Sequence, residues 1–478
     1  MKRKPECEER LKDDAILVNG VHNYTDPASY VTPQDPAVLQ SLETFMDRKL
    51  GFMVTWSPGC QMGTYESWAL CDADADWSQD EIHWTEDIAE FQQQYVDANQ
   101  TFNPIKFRPD RWAELAKECG FQYLLFTTKH HDGFCMFDTQ TTDYKITAPS
   151  CPFSKNKNAN ITKHLFDAFR KNGMGISVYF SKPDWHNEFY WAKQYGKPAD
   201  RNVSYSISAY PERWKAFVQY THAQLRELTS EYGPVDMLWL DGGWVRPDNL
   251  HQDISLPQIV EEIRSSTQPG LLVCDRTVGG AYENVLTPET IVPEAILNVP
   301  WESCITLGQF FSYHYADRYK TAGELISLLI DIVCKGGNLA LNIAPQPDGE
   351  LPHEGVQALQ GLGQWLKANG EAIYRTRAFP QMPATKQMTF TQTTDAFYLL
   401  YRYNAPVNKL PRYVTLPLKR LIKAVTLLRT GEQIPFEQNT QTITLFLSQV
   451  DLHTSEHADC IKLVYAAEPC FHNAIGGC

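Results

Sequence analysis

At 478 residues and 54.6 kDa the chain is too long for one small core, so two domains are the default expectation. Its composition is globular, 43% hydrophobic and 21% charged, and a net charge of −14 without a Lys/Arg cluster argues against nucleic acid as a partner. No run of about 18 apolar residues is present, so no membrane span is expected.

The N-terminus, MKRKPECEERLKDD, starts basic and turns acidic without an apolar stretch, unlike a secretory signal. The 12 cysteines are scattered without a CxxC pair, which suits reduced, mostly buried thiols better than zinc sites or disulfides. Both features predict a cytoplasmic protein, or a secreted or periplasmic one if a longer native N-terminus precedes this one. In the latter case the Asn-x-Ser/Thr sequons at Asn23, Asn99, Asn160 and Asn202 would matter.

After an N-terminal extension (1–44), short apolar runs alternate with amphipathic stretches. The runs are GFMVTW (51–56), YLLFTT (123–128), GISVYFS (175–181), VDMLWLD (235–241), LLVCDR (271–276) and NLALNI (338–343). Trp214, Phe217, Val218 and Leu225 give one helical face between them, and Leu325, Leu328, Leu329, Ile332 and Val333 another. Repeated strand–helix units of this length predict parallel strands with crossover helices, a (β/α)8-like TIM barrel over 45–374. From about 375 the pattern changes to short strands between turns, which predicts a C-terminal antiparallel β-sandwich over 375–478.

The informative regularity is how the runs end: Lys129-His130-His131-Asp132, Ser181, Asp241, Asp275-Arg276 and Asn342. Barrel active sites form at the C-terminal ends of several strands. Any one polar strand end is explained by polar loops; five, several of them ionisable, favour a catalytic face. Strand alternation puts Asp241 on the same side as Trp239, and Gly242-Gly243 follows. A carboxylate beside an aromatic suits a glycosidase nucleophile, and an Asp capping the next turn is the bland alternative. A second carboxylate must protonate the leaving oxygen. Glu289 (LTPETI) and Glu302 (PWESC), both expected in loops above the barrel, are equal candidates on physical grounds. His130-His131 could begin a metal site, but neither HExxH nor HxH accompanies them, so hydrogen bonding to a polyhydroxylated ligand is the better expectation, with no metal and no cofactor.

Together these segments resemble glycoside hydrolase family 29, the α-L-fucosidases, from about 45 to 377. KHHDGF (129–134), YFSKPDW (179–185), LWLDGGW (238–244), the DR of 275–276 leading to TPE (287–289), PWESC (300–304), NLALNIAPQPDGEL (338–351) and NGEAIYRTR (369–377) match family motifs in order. The resemblance implies a retaining exo-hydrolase of terminal α-L-fucose, with a fucosylated glycan as substrate; association with further copies of the chain is compatible with it. It implies Asp241 as nucleophile, Glu289 as acid/base with Glu302 as alternate, and His130, His131, Trp239, Arg276, Tyr179, Glu66 and Trp56 as sugar-binding. One departure stands out. GFMVTWSPG places Thr55 where the family carries a histidine, which makes α-L-galactoside the alternative substrate; a non-catalytic carbohydrate-binding protein is a more distant one.

Overall fold

The computed structural model describes residues 24–71, 75–195, 200–403, 410–448 and 457–466. The first 23 residues, and with them the basic MKRK start and Asn23, lie outside the described part. Two compact units make up the chain. One comprises the residues up to Ala322 with Gly336–Gly363, and the other Gly323–Lys335 with the chain from Gln364.

The first unit is built on seven parallel strands: β1 (Leu50–Val54), β2 (Tyr123–Lys129), β3 (Gly175–Ser181), β4 (Met237–Asp241), β5 (Leu272–Asp275), β6 (Glu302–Thr306) and β7 (Asn338–Ile343). They pair in the order β5-β4-β3-β2-β1-β7-β6. Helices α1 (Pro36–Arg48), α2 (Ile88–Asp97), α3 (Pro109–Glu118), α4 (Ile161–Lys171), α5 (Pro211–Ser230) and α6 (Leu256–Ser266) accompany them. Nearly every strand residue is buried, as parallel strands between a filled interior and a helical coat must be.

The curl of this sheet is visible in its core. One apolar cluster takes residues from all seven strands, among them Met53, Leu125, Tyr179, Trp239, Cys274, Cys304 and Ala340. Val38, Leu42 and Phe45 of α1 join the same cluster. That helix starts where Asp35 accepts from the Ala37 amide at 2.7 Å and Pro36 supplies a preset φ. The barrel-type sheet is the expected one, except that β5 and β6 do not pair. The gap is spanned by residues 283–290, which form isolated bridges to β5 (Glu283 with Cys274) and to the β6 side (Leu286 with Trp301, Glu289 with Cys304). Val285 from this segment completes the interior cluster. An irregular stretch therefore occupies the eighth stave.

The second unit contains α7 from Gly323, the C-terminal end of α8 (His353–Asn369) and strands β8–β15. α7 spans Ala322–Cys334. β8 (Arg377–Ala378), β9 (Met388–Gln392), β10 (Ala396–Arg402), β12 (Ile422–Leu427) and β15 (Ala458–Tyr465) form one antiparallel sheet. β11 (Tyr413–Pro417), β13 (Phe436–Gln438) and β14 (Thr442–Phe446) form a second. The inward alternates of both, such as Leu399, Leu427, Leu416 and Leu445, share one core. Among the described residues, nine cysteines are buried, and no helix is long and apolar enough to cross a membrane.

Candidate active site

Asp241 closes β4, adjacent in register to Ser181 of β3. One of its oxygens, Oδ2, accepts from the Tyr179 hydroxyl at 2.5 Å; the other, Oδ1, accepts from Arg276 Nη1 at 3.0 Å and from the Gly242 amide at 2.7 Å. Gly242 adopts φ +88°, and a Cβ there would meet Pro183 at 2.3 Å, so the turn that delivers this amide depends on glycine. Burial pushes the Asp241 carboxyl up, but the Arg276 charge, with the hydrogen bond from the Tyr179 hydroxyl, outweighs it and holds the carboxyl well below the usual range. The imidazoles themselves are neutral: burial pushes His130 down to about 4 and His131 well below its ordinary value. Arg276 is therefore the positive charge that keeps Asp241 ionised.

Arg276 follows β5 directly, and its second prong reaches Glu289: Nη2 donates to Oε2 while Nη1 holds Asp241. One guanidinium thus spans both carboxylates. Glu289 is brought there by its bridge to Cys304 on β6, with Thr290 N donating to Cys304 O at 2.9 Å. Trp239 lies below, with the Arg276 guanidinium carbon 5.2 Å from its ring and the Tyr179 ring stacked on it at 5.2 Å.

His130 and His131 leave β2 side by side. Ser67 Oγ lies 2.5 Å from His130 Nδ1, and His130 stacks parallel to Tyr179. His131 Nε2 is 3.8 Å from Asp241 Oδ2, and its ring is boxed by Trp68, Trp185 and Trp244. Glu66 is buried beside them and its carboxyl is pushed up to about 7, mainly by burial, with Glu289 adding repulsion. His131 Nδ1 and Glu66 Oε1 are buried with no hydrogen-bond partner among the described residues, the condition of groups arranged for ligand hydroxyls. His130, His131 and Asp241 also offer atoms within 4.8 Å of one another, a spacing a cation could use. A cation there would have to displace the donors from Tyr179, Arg276 and Gly242 that already occupy Asp241.

Two expectations need correction. Glu302 does not lie in a loop above the barrel; it is the first residue of β6 and fully buried. Its oxygens accept from the Tyr123 hydroxyl and from Trp239 Nε1 (3.1 Å), so the Trp239 indole stands over it. Trp56 is not beside the other candidates either. Strand parity turns it away from the interior, into a cluster with Phe102, Phe107 and Trp112 of α3. Its neighbour Thr55 faces inward and donates to Asn342 Oδ1 at 2.8 Å.

Lys129 and Asp132, which flank the two histidines in the strand-end pattern, support the site instead of lining it, together with residues that carried no signal of their own, such as Ser67 and Arg201. Lys129, fully buried, pairs with Asp184 at 3.3 Å, and Asp184 also accepts from Tyr220 and from the His186 and Asn187 amides. This fixes the turn whose Trp185 amide bonds to His131 O at 2.8 Å. Asp132 accepts from Tyr95 and from the Phe134 amide. Ser67, Trp68 and Arg201 belong to the same surroundings, and Arg201 lies over the Trp68 and Trp244 rings. The signal for Trp185 and Trp244 was present, since both close motifs quoted above.

A family model described as alpha-L-fucosidase matches residues 20–371. The chain belongs to the alpha-L-fucosidase family. Among relatives of this family, it is 25% identical over 310 residues to an alpha-L-fucosidase of Dictyostelium discoideum, covering 63% of each chain. It is 25% identical over 380 residues to a tissue alpha-L-fucosidase of Macaca fascicularis, covering 73% of this chain and 75% of the other. The match thus spans under two thirds of the Dictyostelium relative's length. Among solved structures, alpha-L-fucosidase isoenzyme 1 from Paenibacillus thiaminolyticus superposes with a TM-score of 0.71 at 27% identity, over 90% of this chain and 100% of that one. An alpha-L-fucosidase of Bacteroides thetaiotaomicron gives 0.71 at 22% identity over 93% and 98%, a likeness of fold.

Proposed function

We propose that this member of the alpha-L-fucosidase family is a retaining exo-glycosidase that removes terminal α-L-fucose from fucosylated oligosaccharides or glycoconjugates. The observation that carries the reading is the Arg276 guanidinium held between Asp241 and Glu289. Retaining enzymes need their two carboxyls about 5–5.5 Å apart, and a shared guanidinium supports that close spacing. In the first step Asp241, kept ionised by Arg276, attacks the anomeric carbon; the bond to the leaving oxygen breaks as that oxygen takes a proton from Glu289. Water then attacks the same carbon, gives its proton back to Glu289 and releases Asp241. Glu289 enters the cycle protonated, so its ion pair with Arg276 loosens as the substrate oxygen arrives. His130, His131 and Glu66 are assigned to the sugar hydroxyls on the strength of their neutral or unpartnered buried atoms. The buried cysteines scattered through the described residues suit a reducing, cytoplasmic compartment.

The test is kinetic. Asp241→Ala, correctly folded, loses at least about 10³-fold in turnover of an aryl α-L-fucoside, since covalent catalysis is removed. With added azide, Glu289→Ala forms fucosyl azide of the substrate's anomeric configuration. Near-wild-type hydrolysis by Asp241→Ala would refute the assignment. A parallel α-L-galactoside assay decides between the two sugars.

A further inference from the structure

A chain of aromatic contacts leads outward from the site. It starts at His131, whose ring meets Trp68 at 5.1 Å, and continues through Trp77 (6.4 Å) and Tyr65 (4.9 Å). From Tyr65 it passes to Phe310 (5.1 Å), then to His314 and Tyr315 in stacked steps of 4.6 and 4.8 Å. The other rings are buried or half-buried, but Trp77 is 37% and Tyr315 71% exposed, so one large face lies open along the track and another at its end.

The track is anchored at its base. The Tyr65 and Phe310 rings, 5.1 Å apart, join the 65–68 segment to the 310–312 segment. Phe311 O accepts from Asn342 Nδ2 at 2.8 Å, and Asn342 in turn holds Thr55, so the platform is fixed to the ends of β7 and β1. The track begins at the site itself: Trp68 packs on His131, whose Nε2 is 3.8 Å from Asp241 Oδ2. From there the rings of Tyr65 and Phe310 lead to the open face of Tyr315. Aromatic faces set along a path out of a glycosidase centre are suited to stacking against the apolar faces of successive sugar rings.

On the fucosidase reading given above, we propose that Tyr65, Trp77, Phe310 and Tyr315 form an acceptor track for a carbohydrate aglycone of more than one sugar, which makes the enzyme selective for fucose on oligosaccharide chains. Substrate length is then recognised by ring stacking, and the fucose pocket is left unchanged.

The experiment compares wild type, Trp77→Ala, Tyr315→Ala and the double variant on fucosylated oligosaccharides of increasing aglycone length. Inhibition by free L-fucose reports on the fucose pocket. In wild type, kcat/KM rises with aglycone length. Each truncation lowers it on the longest substrate by about 2- to 10-fold, through KM, the value of one aromatic contact. Inhibition by L-fucose stays unchanged. Binding of the fucose-free oligosaccharide, followed by ligand NMR, weakens in the same order. A double variant that keeps the wild-type length dependence and the wild-type oligosaccharide binding overturns the track. Ring-dependent oligosaccharide binding without any fucose release by wild type upholds the track and overturns the hydrolase reading alone.

Discussion

Replacing Glu302 by glutamine separates a structural carboxyl from a catalytic one. Burial pushes this carboxyl from 4.5 up to about 7, an effect its bonds from Tyr123 and Trp239 only partly offset. A group whose folded value lies above its unfolded value is protonated in the native state while the unfolded chain has already released the proton. Wild-type stability therefore falls as pH rises from about 4.5 to about 7. At about 1.4 kcal/mol per unit, the contribution is up to about 3 kcal/mol. A neutral Glu302 accepts from the indole and can donate to the phenol, and a glutamine amide does both. The Glu302→Gln variant is thus expected to match wild type at pH 5 and to be more stable by up to about 3 kcal/mol at pH 8. Urea denaturation at pH 5, 6.5 and 8 measures the difference, and kcat/KM on an aryl fucoside should stay within about tenfold of wild type. A difference that is flat with pH would show that Glu302 does not titrate in this window. Azide rescue of an inactive Glu302→Ala would refute the reasoning outright, because it would make Glu302 the proton donor.

Lys129→Met leaves Asp184 charged and buried without its partner, so a loss of about 3–5 kcal/mol is expected in thermal or urea unfolding, with partial recovery when Asp184→Asn is added. Gly133→Ala places a Cβ 2.1 Å from Asp184 Oδ1 at φ +79°, and should destabilise the loop after β2 by about 1–3 kcal/mol and weaken inhibition by L-fucose. His130, pushed from 6.5 down to about 4 chiefly by burial, is neutral in the native state where the unfolded chain is already protonated. Its contribution to stability is lost as pH falls from about 6.5 to about 4, by up to about 3 kcal/mol, so in urea denaturation the difference between wild type and His130→Gln should change by that amount over this range, and a flat difference would refute it.

Much of the site was legible because barrel strands announce themselves by apolar runs and carry chemistry where the runs stop. Asp241, Arg276, His130 and His131 stand next to such ends. Glu302 was misplaced because its strand, ESCIT, mixes polar and apolar residues and lacks a run to detect, although all five are buried. Trp56 was misassigned although parity alone decides it: with Met53 in the interior, Thr55 also faces in and Trp56 faces out. The eighth stave was invisible because residues 283–290 form bridges without periodic hydrophobicity. Lys129 with Asp184 and Ser67 with His130 bring together distant parts of the chain, information carried by the fold.

The irregular eighth stave separates the two halves of the chemistry into parts with different freedom to change. Asp241 sits in a ladder, where a slip of one residue would turn it to the opposite face and empty the site. Glu289 sits on a segment tied by a few isolated bridges, where inserted or deleted residues can be absorbed without unpairing a sheet. On the roles proposed for Asp241 and Glu289, attack is thereby locked to the scaffold, while proton donation is mounted on an adjustable arm. A chain built this way can be retuned to leaving groups of different basicity or bulk by remodelling 283–301, leaving the fucose grip as it is.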